Sequence, residues 1–67
     1  MNAIDLENDR LLRISEVSHR TGLAASTIYK KMEDAGFPKP IKLGTRTVRW
    51  WQSQVAEWVK EASQAAD

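Results

Sequence analysis

In the stretch Gly22-Leu23-Ala24-Ala25-Ser26-Thr27-Ile28-Tyr29-Lys30-Lys31-Met32, the side chains able to do chemistry recur at helical spacing. At about 100° per residue, Ser26, Thr27 and Lys30 share one face, with Tyr29 and Glu33 on one edge and Asp34 on the other. Ala25, Ile28, Met32 and Ala35 take the opposite side, as a core stripe does. Short hydroxyls near the start, then a phenol and cations one turn later, are groups that hydrogen-bond base edges and neutralise phosphates. That is the chemistry of a DNA recognition helix, whose N-terminal residues approach the bases. An amphipathic surface helix has the same pattern, so the flanking sequence has to decide.

A second group is basic. Ile41-Lys42-Leu43 and Val48-Arg49-Trp50 each alternate apolar, basic, apolar, around Gly44-Thr45-Arg46-Thr47, a plausible four-residue hairpin loop. That hairpin pairs Leu43 with Val48 and Lys42 with Arg49, turns Ile41, Leu43, Val48 and Trp50 to the core, and puts Arg46 at the tip. Like charges directly opposite destabilise a ribbon, and a phosphate backbone would neutralise them. Splayed, salt-screened side chains are the alternative. Lys30 points furthest from the core stripe, whereas Lys31 lies nearer its edge, where a snorkelling role is equally suitable. Ser26 and Thr27 either touch the nucleic acid or cap the helix. Tyr29 either meets a phosphate or packs on the wing. Arg20 suits backbone contact or the helix dipole equally, and Lys39 is a further phosphate candidate.

These groups need elements to hold them. Ser15 is the expected N-cap of a first helix, Glu16 to Thr21, with Gly22 as its left-handed stop and Leu23 packing back on Val17. The second helix starts after a turn of a few residues, either capped by Ser26 or beginning at Ala24 with a poor cap, and ends before Gly36. Two helices joined in this way make a helix-turn-helix. Phe37-Pro38-Lys39-Pro40 cannot be helical, and Phe37 is expected to fill the core beneath helix two. A third helix is expected from Trp51 to about Ala62, with Trp51, Val55, Trp58, Val59 and Ala62 in one apolar stripe and Gln54, Glu57 and Glu61 facing outward. Leu11-Leu12-Arg13-Ile14 makes either a short strand or a lead-in to the first helix. The expected fold is mainly α with a small β-hairpin: a winged helix-turn-helix of three helices and a two-stranded wing. Residues 10–62 form the domain, between a tail at 1–9 and a frayed end at 63–67.

Composition narrows the function. The chain has 67 residues, no cysteine and one histidine, His19. Disulfides and thiolate metal sites are thereby excluded, and no metal or cofactor is expected. Three tryptophans compensate for a small core. Trp50 and Trp58 sit at core-facing positions, so stacking on unpaired bases is not their main role. There is no Gly-rich phosphate loop and no nucleophile spaced with a base, which argues for a binding module and against an enzyme. No apolar run spans a bilayer, and a soluble, cytoplasmic protein is expected. The net charge of +1 hides a division: residues 10–49 carry nine cations against three carboxylates, and each flank has more acids than bases. A basic middle suits a polyanionic partner, double-stranded DNA above all.

The order of motifs also resembles a known family. Arg10-Leu11-Leu12-Arg13-Ile14-Ser15-Glu16-Val17, Thr21-Gly22-Leu23, Ser26-Thr27-Ile28-Tyr29-Lys30 and Gly36-Phe37-Pro38-Lys39-Pro40-Ile41-Lys42-Leu43-Gly44 are similar to the AlpA family of phage and prophage regulators. So are Arg46-Thr47-Val48-Arg49-Trp50, Val55 and Trp58-Val59. The resemblance spans about residues 10–60 and implies a winged helix of the MerR-like or excisionase-like type. It implies a sequence-specific DNA-binding regulator of integrase or excision genes, with Ser26, Thr27, Tyr29 and Lys30 in contact. Excisionases, which bend attachment-site DNA and contact integrase, are the related alternative; a purely protein-binding winged helix, directed at integrase or RNA polymerase, is another. A monomer or weak dimer, cooperative on repeated sites, is expected. Ala24 departs from the family, which has a polar capping residue there.

Overall fold

The computed structural model describes residues 9–65. In chain order these are β1 (Leu11–Leu12), α1 (Ile14–Thr21), α2 (Ala25–Asp34), β2 (Ile41–Lys42), β3 (Val48–Trp51) and α3 (Gln52–Ala65). The strands form one antiparallel sheet in the order β1-β3-β2. The architecture is mainly α with a hairpin, as expected, but the wing has gained a third strand. Leu11 pairs with Trp51 and Leu12 with Trp50, so the first half of the run Leu11-Leu12-Arg13-Ile14 is a strand while Ile14 opens α1.

Helix α1 begins earlier than Ser15 would set it. Arg13 is the N-cap residue, in extended conformation, and its N–H donates to Glu16 Oε1 at 2.9 Å. Glu16 thus supplies the reach-back half of a capping box, and Ser15 lies inside the helix. At the other end Gly22 is left-handed (φ 74°), and its N–H closes on Ser18 O at 2.8 Å. The three-residue connection to α2 is tied by side chains. Thr21 Oγ1 donates to Val17 O (2.8 Å) and accepts from Leu23 N–H (3.2 Å), while Ser18 Oγ donates to Leu23 O (2.6 Å). Those bonds fix the angle between the two helices.

Leu12, Val17, Ile28, Phe37, Trp50 and Val55 are buried together, one each from β1, α1, α2, β3 and α3 and Phe37 from the loop after α2. Phe37 fills the space beneath α2 as expected. The turn that delivers it has Gly36 at φ 72°, which lets Phe37 N–H return to Lys31 O at 3.1 Å. Phe37 meets Trp58 edge-on with centroids 4.9 Å apart. The indole N–H groups of Trp50 and Trp58 are satisfied by Pro38 O (3.0 Å) and Ala35 O (3.2 Å). The Pro-containing loop therefore supplies the carbonyl that lets Trp50 be fully buried.

Three expectations are corrected here. Trp51 is the last residue of β3, and α3 starts at Gln52 because β1 holds Trp51 in the sheet. Helix α3 also runs to Ala65, beyond the expected end near Ala62. Asp9, assigned from sequence to the tail, belongs to the fold. Its carboxylate accepts from Ser53 N–H (3.0 Å), Ser53 Oγ (2.5 Å) and Arg10 N–H (2.8 Å), while Gln52 N–H donates to Arg10 O (2.9 Å). The first turn of α3 has no acidic residue of its own, so Asp9 caps it from the other end of the chain. The rest of the expected tail, 1–8, and the final residues 66 and 67 lie outside the described residues.

Candidate nucleic-acid interface

Helix α2 starts after Ala24, an extended N-cap residue that makes no side-chain capping bond. Ser26 and Thr27 are inside the first turn, so neither is the N-cap. Ala24 O accepts from Ile28 N–H at 3.0 Å, and the N–H groups of the first turn have no intrahelical acceptor. Such an uncapped start carries partial positive charge and free donors toward whatever faces it. Ser26 is exposed and Thr27 half-buried beside those donors. One turn on, Lys30 is exposed and Lys31 half-buried, as the face analysis places them. Of the expected core stripe, Ile28 is buried and Met32 packs on the core, whereas Ala25 and Ala35 are exposed.

Tyr29 links this helix to the wing. Its ring packs edge-on against Trp50 (centroids 6.0 Å, planes at 65°) while 43% of the residue stays exposed. The sequence posed wing packing and phosphate contact as alternatives; the wing contact is present, and exposure is retained. Buried Trp50 is where the sheet meets Tyr29 of α2, so residues sharing its face lie on that side of the sheet.

That geometry re-sorts the wing cations. The pairs are Ile41 with Arg49 and Lys42 with Val48, in place of Lys42 with Arg49. Leu43 N–H donates to Thr47 O at 2.8 Å, so only Gly44, Thr45 and Arg46 form the tip. A loop one residue shorter shifts the register by one and turns β2 over relative to β3. Lys42 therefore shares the face of Val48 and Trp50, toward α2. Arg49 shares the opposite face with Ile41, Trp51 and Leu11. Leu43 leaves the core and is 56% exposed. Arg46 is exposed at the tip, as expected.

Arg49 meets different company. It lines a concavity of about 530 Å³ with Arg10, Leu11, Arg13, Ser15 and Glu16. Arg10 and Glu16 form an ion pair there at 3.3 Å. Glu16 is held below the ordinary carboxylate range by the Arg13 N–H bond, which outweighs its partial burial, and by the charges of Arg10, Arg13 and Arg20. Arg10 and Arg13 were not among the sequence candidates. Their signal was the β1–β3 register, which alternation in a two-residue strand does not reveal. Among the described residues no group of three or more His, Cys, Asp or Glu is placed to hold a metal ion. No described helix is long and apolar enough to cross a membrane.

The sequence profile of the family described as prophage CP4-57 regulatory protein (AlpA) matches residues 10–63. The chain belongs to the AlpA family. Within or beside that family stand two similar proteins. The DNA-binding transcriptional activator AlpA of Escherichia coli K12 is 36% identical over 58 residues, covering 78% of this chain and 83% of the relative. The protein ORF88 of Enterobacteria phage P4 is 40% identical over 55 residues, covering 82% of this chain. The chain spans 62% of the length of that phage relative. No solved structure matches significantly. The AlpA match takes in both helices of the helix-turn-helix, the wing and most of α3, so it covers every candidate contact residue.

Proposed function

We propose that this AlpA-family chain is a sequence-specific double-stranded DNA-binding protein of a phage or mobile element. It regulates transcription of integrase or excision genes and acts in the cytoplasm. One observation supports the reading: the uncapped start of α2 leaves Ser26, Tyr29 and Lys30 exposed beside half-buried Thr27, and Tyr29 packs on Trp50, whose sheet face also carries Lys42. The printed function of the E. coli relative, a DNA-binding transcriptional activator, supports it. Helix α2 enters the major groove, where its first turns reach base edges. Arg46 at the wing tip follows the neighbouring backbone or minor groove, and Lys31 stands at the periphery. The binding unit is residues 10–62 with Asp9, whose carboxylate caps α3.

Electrostatics make this testable. With about five phosphate contacts, the affinity for duplex DNA falls on the order of several-hundred-fold between about 50 and 200 mM salt. Fluorescence anisotropy with a labelled mixed-sequence duplex measures that slope. Affinity that is indifferent to salt, or absent at micromolar protein, would sink the DNA reading and leave the winged helix as a protein-binding surface.

A further inference from the structure

The side of the sheet turned away from α2 carries its own concentration of positive charge. Leu11 pairs with Trp51 and Leu12 with Trp50; one more step of that register sets Arg13, still extended (φ −79°, ψ 162°), alongside Arg49. Arg13 and Arg49 thus fall on one face of neighbouring chain segments and line the same concavity; like charges so placed cost stability unless something neutralises them. Arg10, just before β1, is the third cation of the same concavity. Its one carboxylate, Glu16, is already engaged by Arg10 and by Arg13 N–H. Among the described residues, no carboxylate is paired with Arg13 or Arg49. Arg49 is also held in place, half-buried and donating from Nη1 to Val48 O at 2.7 Å.

We propose that Arg10, Arg13 and Arg49 form a second anion site that grips phosphodiester groups of the DNA backbone, on the opposite face of the wing from Lys42. The proposal rests on the DNA-binding reading and deepens it. A ribbon lying at a groove edge has a wall of phosphates on each side. Lys42, on the α2 side, meets the near wall, and the three arginines meet the strand across the adjacent minor groove. Arginine suits this role because its planar fork matches phosphate oxygens with paired hydrogen bonds. Contacts of this kind add affinity and register without reading sequence.

The test compares the wild-type chain with Arg13→Gln/Arg49→Gln, Arg49→Gln alone and Lys60→Gln, by anisotropy on the same mixed-sequence duplex over a salt series. Each lost phosphate contact lowers the slope of log affinity against log salt by about 0.9. The double variant should therefore lose about twice what Arg49→Gln loses, while Lys60→Gln on α3 keeps the wild-type slope. Arg13→Lys/Arg49→Lys, which retains the charge, should recover most of the slope; a purely structural role would not be rescued in that way. Circular dichroism confirms that each variant is folded, and Arg49→Gln carries the test should the double variant not fold. Slopes equal to that of Lys60→Gln in a wild type that does bind DNA overturn this site and leave the recognition-helix reading standing. A wild type without salt-dependent binding overturns both.

Discussion

Lys30 and Arg46 are both exposed cations in different settings, and the proposed DNA binding asks different work of them. Lys30 projects from the second turn of α2 beside Ser26 and Thr27, where a groove-bound helix meets base edges. Lys30→Ala is expected to weaken binding to the cognate site on the order of tenfold or more and to flatten preference among sequences. Arg46 sits on a three-residue tip, so Arg46→Ala should weaken binding evenly across sequences and lower the salt slope by about 0.9. Competition between cognate and scrambled duplexes separates the two. Asp9 acts on stability instead. Its partial burial pushes the carboxyl up, but the hydrogen bonds from Ser53 hydroxyl, Ser53 N–H and Arg10 N–H win and hold it below its ordinary value of 3.8. A carboxylate with a lowered folded pKa stabilises the fold fully above the unfolded value, and that contribution fades as pH falls through the lowered one. Asp9→Ala should cost about 1 kcal/mol near neutral pH. In urea unfolding, the gap between wild type and variant should close well below pH 3.8.

At the scale of elements, the start of α2 is a place where stability has been left unclaimed. Ala24→Ser would give its first turn the side-chain acceptor it lacks. A gain of about 1 kcal/mol is expected, visible as a rise of roughly 4–8 °C in Tm; an unchanged melting curve would show that the turn is already satisfied some other way. How far these elements were legible in the sequence follows from the range of the signals. Helices α1 and α2 announce themselves through local chemistry: Gly22 as a left-handed stop, Ile28 and Met32 at helical spacing, and Pro38 and Pro40 as breakers. The wing was legible as a hairpin but not in its register. Choosing between a three- and a four-residue tip needs the pairing of Leu43 with Thr47, and that one-residue choice put Lys42 and Arg49 on opposite faces. Trp51 was misplaced for a related reason. Its apolar spacing fits α3, and only the distant Leu11 holds it in β3. The Asp9–Ser53 cap and the Arg13–Arg49 neighbourhood were out of reach because each joins the two ends of the domain.

Taken whole, the molecule has little core to spare. Among the described residues six apolar side chains are buried, and for a 67-residue chain a total stability of roughly 3–10 kcal/mol is expected. Phe37 touches several parts of that core, packing on Trp58 below α2. Phe37→Ala should cost about 3–5 kcal/mol, enough to bring the domain close to its unfolding midpoint at room temperature. Urea unfolding would show the loss, and duplex binding would fall with the folded fraction. The central strand gives the same smallness a temporal side. β3 is hydrogen-bonded on both edges but is made after β1, α1, α2 and β2. During synthesis from the N-terminus, the α1–α2 pair can close through contacts near in sequence, whereas Leu11 and Leu12 wait for Trp51 and Trp50 across nearly the whole domain. Long loop closures of this kind are slow relative to local ones. A nascent chain halted before Val48 would thus hold a helix-turn-helix whose underside still lacks Trp50, and the core closes only once β3 has been made.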